Sequence, residues 1–183
     1  MSYTYRKFQP ATDTLKPFDC GDADLNDFLV ETSTTTPNAT MYEKERLAVT
    51  YVVEDNETHD ILAYFSILHD KIERDFADSR LWNRLSRNIP NAKRRSSYPA
   101  IKVGQLAVSS KAQCSGLGRE ILAFLKAWYY NDPRAGCRFI TVDALRTAEE
   151  FYGKCRFKPL VEAKPEDETI LMFYDMLGIG PTL

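Results

Sequence analysis

The stretch from Ala100 to Tyr130 constrains the fold of this chain more than any other. Residues 100–108 form a mostly apolar run, the mark of a buried strand. A small-residue segment follows, Gln113-Cys114-Ser115-Gly116-Leu117-Gly118. Residues 116–130 then place Ile121, Leu122, Leu125 and Trp128 on one helical face. Asn131-Asp132-Pro133 ends that helix, because proline disfavours helical geometry in the residue before it. A buried strand that feeds an amphipathic helix needs neighbouring strands and helices to cover both.

Other segments supply them. Residues 22–30 carry Leu25, Phe28 and Leu29 at helical spacing behind Asp22, a helix-capping residue. Residues 32–38, rich in threonine, read as a loop. Residues 47–53 and 61–68 read as strands joined by a polar turn, hence a hairpin. Residues 76–85 read as a helix, and Pro90 and Pro99 bracket a polar loop. A strand at 139–142, a short helix at 147–154 and strands at 157–161 and 169–174 complete the chain. The expectation is an α+β (mixed α/β) fold, one domain over residues 1–183, with a central mixed sheet flanked by helices.

Bulk properties narrow the function classes. The chain has 183 residues, enough for one domain with a good core. A net charge of −2 argues against a wholesale nucleic-acid or membrane binder. No run approaches the roughly 18 apolar residues of a membrane span, and the start lacks an apolar leader. Cys20, Cys114, Cys137 and Cys155 form no CxxC pair, and His59 and His69 are the only histidines. No metal site is expected from them, and unpaired cysteines suit a cytoplasmic location.

The glycine segment carries the chemistry. Gly116 and Gly118 let a ligand's oxygens approach the backbone. Free N–H groups at a helix start, with the dipole behind them, suit a pyrophosphate. Arg119 could add a charge-assisted contact. Taken alone, the two glycines fit a plain tight strand-to-helix connection equally well. The pattern is neither GxGxxG, since Ile121 stands three after Gly118, nor a Walker loop.

Gly104-Gln105-Leu106-Ala107-Val108, then Gln113-x-x-Gly116-x-Gly118 and an amphipathic helix, closely resembles the acetyl-CoA-binding core of the GNAT N-acetyltransferase superfamily. Ala148-Glu149-Glu150-Phe151-Tyr152 through Arg156-Phe157 resembles the family's A-x-x-F-Y-x-x-x-G-F element. The likeness spans roughly residues 46 to 175 and implies a twisted, mostly antiparallel sheet. It implies that backbone groups of Leu106, Ala107 and Val108 face the acetyl group and the pantetheine arm. Gln113 and the amides of Ser115, Gly116, Leu117, Gly118 and Arg119 would hold the pyrophosphate. Tyr152 would stand beside the acetyl-CoA sulfur and protonate the leaving thiolate. The chain departs from the family where Arg156 replaces a glycine, where Cys114 and Ser115 replace a glycine and a basic residue, and where Leu145 replaces an asparagine.

The implied reaction is direct attack of a primary amine on the thioester. Many relatives place a glutamate on the strand at 100–108; here that strand has no carboxylate. His69, Asp70 and Glu149 are the alternatives for a base. A lysine amine, at a pKa of about 10.4, needs a base more than an α-amine at about 7.7–8, so a missing glutamate favours an α-amino acceptor.

Phe18-Asp19-Cys20-Gly21-x-x-x-Leu25-Asn26-x-Phe28-Leu29 resembles the opening of GNAT toxins that acetylate aminoacyl-tRNA. Thr50-Tyr51-Val52-Val53 and Val142-Asp143-Ala144-Leu145 look like the same branch. That resemblance implies tRNA and an antitoxin as partners, with a homodimer as another assembly. Arg80, Arg84, Arg87, Lys93, Arg94, Arg95 and Lys102 put +7 into one acid-free stretch, leaving −9 for the remainder of a chain of net −2. Such a stretch fits RNA phosphates and, equally, a solvated face. Beside the general acetyltransferase stand a tRNA-directed toxin and a non-catalytic acyl-CoA-binding domain.

Overall fold

A computed structural model of the chain describes residues 2–30, 37–75, 77, 79–87, 89–91, 95–132, 135–164 and 166–178. Phe76, Lys93, Arg94 and residues 32–36 of the expected threonine loop lie outside them. The strands are β1 (Tyr3–Lys7), β2 (Val49–Asp55), β3 (Ile61–Glu73), β4 (Ser97–Val108), β5 (Phe139–Leu145), β6 (Lys158–Pro159) and β7 (Thr169–Asp175). Among the described residues the helices are α1 (Pro10–Asp13), α2 (Ala23–Leu29), α3 (Asn38–Lys44), α4 (Ser79–Ser86), α5 (Leu117–Asn131) and α6 (Glu149–Lys154). The strands form one sheet in the order β1-β2-β3-β4-β5-β7-β6. The pairs β1/β2, β2/β3, β5/β7 and β6/β7 are antiparallel. This is the expected α+β architecture. No helix among the described residues is long and apolar enough to cross a membrane.

Several boundaries differ from the sequence reading for physical reasons. β1 escaped notice because its half-exposed sequence, Tyr-Thr-Tyr-Arg-Lys, has no aliphatic residue. Asn38 opens α3 rather than closing a loop. β3 runs five residues past Leu68, since Asp70 and Ile72 continue its inward alternation. β4 begins at Ser97 and runs through Pro99, which is exposed while Tyr98 and Ala100 are buried. The expected strand at 157–161 shrinks to Lys158–Pro159 at the sheet edge, where a proline without an N–H is tolerated.

The chain divides into two compact units. Unit 1 comprises Met1–Leu68 with Val103–Ile121, and unit 2 comprises His69–Lys102 with Leu122–Leu183. In unit 1, Phe8, Phe18, Phe28, Leu29, Val52, Tyr64 and Ala107 form the core. The Tyr64 ring stacks on Phe28 at 5.7 Å, and its hydroxyl donates to the Leu25 carbonyl at 2.6 Å. Asp22 caps α2, accepting from the Leu25 N–H at 3.0 Å. Arg6 clamps the fully buried Asp13 with two hydrogen bonds, at 2.7 and 2.8 Å, and also meets Glu54. Burial alone would raise the Glu54 carboxyl, but hydrogen bonds from Lys16, Arg6 and His59 outweigh it and hold it at about 2.

In unit 2, Ile72, Trp82, Leu85, Tyr98, Ala100, Phe139, Leu160 and Phe173 form the core, with Trp82 stacked on Tyr98 at 4.8 Å. Arg138 joins three elements. Its fork binds Asp175 at 2.9 and 2.7 Å, and Nη1 donates to the Leu85 carbonyl of α4 at 3.0 Å. Asp175 is only 7% exposed, so its loss leaves a nearly buried guanidinium unpaired. Asp175→Ala is expected to destabilise unit 2 by about 3 kcal/mol in denaturant titration. A loss under about 1 kcal/mol would show that the pair is no anchor.

Candidate functional site

The approach to the glycine segment is set by Gly104. A Cβ there would lie 2.9 Å from both Ser66 Oγ and Leu68 Cδ2. Ser66 is fully buried; its hydroxyl accepts the Gln105 N–H at 3.0 Å and donates to Gln105 Oε1. β3 thereby fixes the end of β4 just ahead of Leu106-Ala107-Val108. Ala107 points into the unit 1 core, while Leu106 and Val108 are half-buried.

Past Val108 the chain turns sharply. The Ser110 N–H and Oγ both donate to the Asp19 carbonyl, at 2.8 and 2.9 Å. Gln113 Nε2 donates to the Cys20 carbonyl at 2.8 Å and to the Val108 carbonyl at 3.0 Å. The segment 18–26 is braced in turn. Asp19 Oδ1 accepts from the Gly21 N–H and from Asn26 Nδ2, and Asn26 Oδ1 accepts from the Cys20 N–H. Phe18-Asp19-Cys20-Gly21 therefore docks directly onto the glycine segment, through contacts between residues 91 and 93 positions apart that leave no local signal.

Cys114 takes φ +60 and Gly116 takes φ +94, both in the left-handed region. A Cβ on Gly116 would meet nothing within 4 Å, so backbone conformation rather than space favours glycine there. Ser115 Oγ donates to the Ala112 carbonyl at 2.7 Å and accepts the Leu117 N–H at 3.3 Å. The Arg119 N–H is taken by the Gly116 carbonyl at 2.9 Å. Of the five amides expected to bind a pyrophosphate, Leu117 and Arg119 are thus engaged. The N–H groups of Ser115, Gly116 and Gly118 donate to no hydrogen bond among the described residues. They stand at the start of α5, a 15-residue helix whose dipole favours an anion there. Gln113 differs from expectation: its amide nitrogen shapes the loop, and the oxygen that remains would repel phosphate.

A cavity of about 670 Å³ opens in unit 1 against Phe18, Ile61, Leu62 and Ser109. Its two cations are committed, Lys16 to Glu54 at 2.8 Å and Lys111 to Asp60 at 3.3 Å. The cavity's lining cations are thus paired, whereas the glycine segment offers unengaged amides.

Tyr152 lies in unit 2, on α6. Its ring is buried between Phe151, at 5.1 Å, and Phe157, at 5.5 Å. The hydroxyl makes no hydrogen bond among the described residues. Burial, with the Cys155 thiol adding to it, pushes the phenol well above its ordinary range, so it stays protonated at neutral pH. α6 ends as a Schellman turn: the Arg156 N–H bonds the Gly153 carbonyl at 2.8 Å and the Phe157 N–H bonds the Tyr152 carbonyl at 3.0 Å. Arg156 sits at φ +66, so it keeps the left-handed turn of the glycine it replaces. Lys126 of α5 caps the same end, donating to the Cys155 carbonyl with its ammonium 4.1 Å from the Tyr174 ring centre. Burial lowers its pKa.

The alternative bases are spread differently. His69 is exposed on β3, Glu149 is half-buried in the first turn of α6, and Asp70 accepts a hydrogen bond from Thr141. Lys102 pairs with Asp143 and leaves the expected basic surface. Arg80, Arg87 and Arg95 are exposed and Arg84 is half-buried. Burial, and then repulsion from Arg84 and Arg156, lower the Lys158 pKa, so positive charge from α4 and from the turn after α6 converges.

If Gln113 holds the loop in shape, Gln113→Ala should weaken acetyl-CoA binding about tenfold in calorimetry with the thermal midpoint little changed. An unaltered affinity would show that the loop keeps its form without that amide.

No protein-family model and no curated protein matches the sequence. Solved structures do match. A tyrosine-to-phenylalanine mutant of KacT is similar at a TM-score of 0.77 and 22% identity, over 98% of each chain. AtaT complexed with acetyl-methionyl-tRNAfMet is similar at 0.75 and 23%, over 97% of each chain. A tyrosine-to-phenylalanine mutant of the AtaT toxin, bound to the C-terminus of the antitoxin AtaR and acetyl-CoA, is similar at 0.65 and 21%, over 97% of this chain and 95% of that one. The chain therefore shares the α+β fold of KacT and AtaT over nearly its whole length.

Proposed function

We propose that this chain is an acetyl-CoA-dependent N-acetyltransferase that acts as a toxin on the α-amino group of aminoacyl-tRNA. The observation that carries the acetyl-CoA reading is the set of unengaged amides at Ser115, Gly116 and Gly118, held at the start of α5 by a loop braced from 19–26. An N-terminal helix amide cluster with no side-chain partner is the donor set that a pyrophosphate requires. Leu106, Ala107 and Val108 lead into it and would flank the pantetheine arm; Arg119, exposed, would add charge at the phosphates.

Tyr152 supplies the proton for the departing sulfur. Its phenol is protonated, buried and unshared, so the proton is available to an incoming ligand. The similar KacT and AtaT mutants each change a tyrosine to phenylalanine, which supports a tyrosine at the centre of the chemistry.

The acceptor reading rests on two supports. AtaT, with acetyl-methionyl-tRNAfMet bound, shares the fold. Cations from α4 and from the turn after α6 converge in unit 2, which suits a polyphosphate backbone. A toxin of this kind needs a neutralising partner, as AtaT has in AtaR, so an antitoxin whose C-terminus binds this chain is part of the proposal.

Tyr152→Phe should lower acetyl transfer to charged tRNA by at least a hundredfold while leaving acetyl-CoA affinity within threefold. Turnover unaffected by that change would remove Tyr152 from the mechanism, and no turnover in the unaltered protein would favour a non-catalytic acyl-CoA-binding domain. Replacing Arg80, Arg87 and Arg95 together by glutamate should weaken tRNA binding more than tenfold and flatten its salt dependence, with acetyl-CoA binding unchanged. Equal tRNA affinity in a filter-binding titration would exclude this surface.

A further inference from the structure

We propose that Asp70, oriented by Thr141, accepts the proton of the attacking amine; the inference rests on the acetyltransferase reading above. The mechanism has an acid in Tyr152 and no assigned base. Asp70 is the one of the three alternatives placed on the other face of unit 2's sheet.

The faces follow from strand alternation and register. Thr141 is the Cα partner of Phe173 across β5/β7. Phe173 packs with Phe139, two residues from Thr141, in the core under α4, and Ile72, two residues from Asp70, joins them. Asp70 and Thr141 thus share the α4 face. Tyr174, the next residue on β7, turns to the opposite face, where it meets Phe157 at 5.8 Å, and Phe157 meets Tyr152. Glu149 sits on α6 with Tyr152, and His69 alternates away from Asp70. Acid and base on opposite faces cannot exchange the proton directly. An amine attacking from the α4 side would meet Asp70, and a sulfur leaving towards the opposite face would meet Tyr152.

The local hydrogen bonding suits a group that changes protonation state. Thr141 is 1% exposed, and its single hydroxyl proton has two acceptors, Asp70 Oδ2 and the Ile101 carbonyl at 3.2 Å. With Asp70 ionised, the hydroxyl donates to it. With Asp70 protonated, Asp70 donates to Thr141 Oγ1 and the hydroxyl turns to Ile101. Both states are satisfied without moving a heavy atom, which a purely structural carboxylate does not need. The surroundings leave Asp70 available. The cation on β4, Lys102, is held by Asp143 of β5; α4 presents Trp82, Leu85 and Ser86 to this core, and its half-buried Arg84 lies near Lys158 of β6, the in-register partner of Phe173 on the same face. Asp70 itself is half-buried, with Oδ1 making no hydrogen bond among the described residues.

The step balances. The amine nitrogen forms the new C–N bond, the C–S bond breaks, the amine proton goes to Asp70, and the sulfur takes the Tyr152 proton to leave as CoA thiol. Proton exchange with water resets both groups.

The test uses the full chain with acetyl-CoA and an amino-acid amide as acceptor. Asp70→Asn keeps the shape and the bond to Thr141, so stability and acetyl-CoA affinity should hold while kcat falls a hundredfold or more. The acid limb, taken as the fall of kcat/KM that remains after division by the free-amine fraction, should be present in the unaltered protein and disappear in Asp70→Asn. Formate added to Asp70→Ala should restore part of the rate, a readout that a structural role would not move, and His69→Gln should behave as the unaltered protein. Turnover within threefold in Asp70→Asn, or an acid limb that persists in it, overturns this inference alone. Absence of turnover in the unaltered protein overturns the functional reading and this inference with it. If Asp70→Asn misfolds, the formate response of Asp70→Ala and the acid limb of Thr141→Val decide: no rescue and an unshifted limb overturn the proposal.

Discussion

One side-chain amide determines what the strand-to-helix junction can do. Gln113 Nε2 holds the Val108 carbonyl at the end of β4 and the Cys20 carbonyl of the preceding N-terminal segment. Between those two tethers the backbone reverses through Cys114 and Gly116, both with positive φ, and delivers Ser115, Gly116 and Gly118 with their N–H groups unspent. Burying such donors would be costly, and leaving the loop slack would scatter them. The junction fixes the carbonyls and leaves the amides unengaged. The residues that read as a pyrophosphate cradle are thus of two kinds, those that make the shape and those that carry the unengaged donors.

The same division recurs around Tyr152. Its hydroxyl is unshared, and the supporting interactions lie at the other end of α6. There Lys126 caps the last carbonyl and Arg156 completes a Schellman turn in a conformation that glycine would adopt more cheaply. Phe151 and Phe157 fix the ring. A helix of six residues has little stability of its own, so its position comes from these contacts rather than from helix propensity.

Much of this was legible in the sequence, and what was not has identifiable causes. The β4–loop–α5 unit was readable because apolar runs, small residues and a helical stripe each leave a local periodic signal. Asp22 announced itself as a cap for α2 in the same way. β1 did not, because a half-exposed strand of tyrosine, arginine and lysine carries no aliphatic alternation. Pro99 misled, since proline signals a loop but an exposed position early in a strand accepts it. Gln113 was assigned to the ligand because its partners, Cys20 and Val108, are 93 and 5 residues away and only folding reveals them. Asp70 was one of three loosely placed carboxylates and imidazoles until the register of β5 with β7 assigned it a face. The basic stretch was read as a linear run; the fold withdraws Lys102 into an ion pair and adds Arg156 and Lys158 from distant sequence.

The convergence of Arg84, Arg156 and Lys158 has a mechanical side. Burial lowers the Lys158 ammonium pKa most, and repulsion from Arg84 and Arg156, drawn to it by the fold, adds to that. That repulsion is screened by salt, and a bound polyanion would offset it. A polyanion bound across this patch would, by mass action, also favour the folded turn after α6, the element that holds Tyr152 in place.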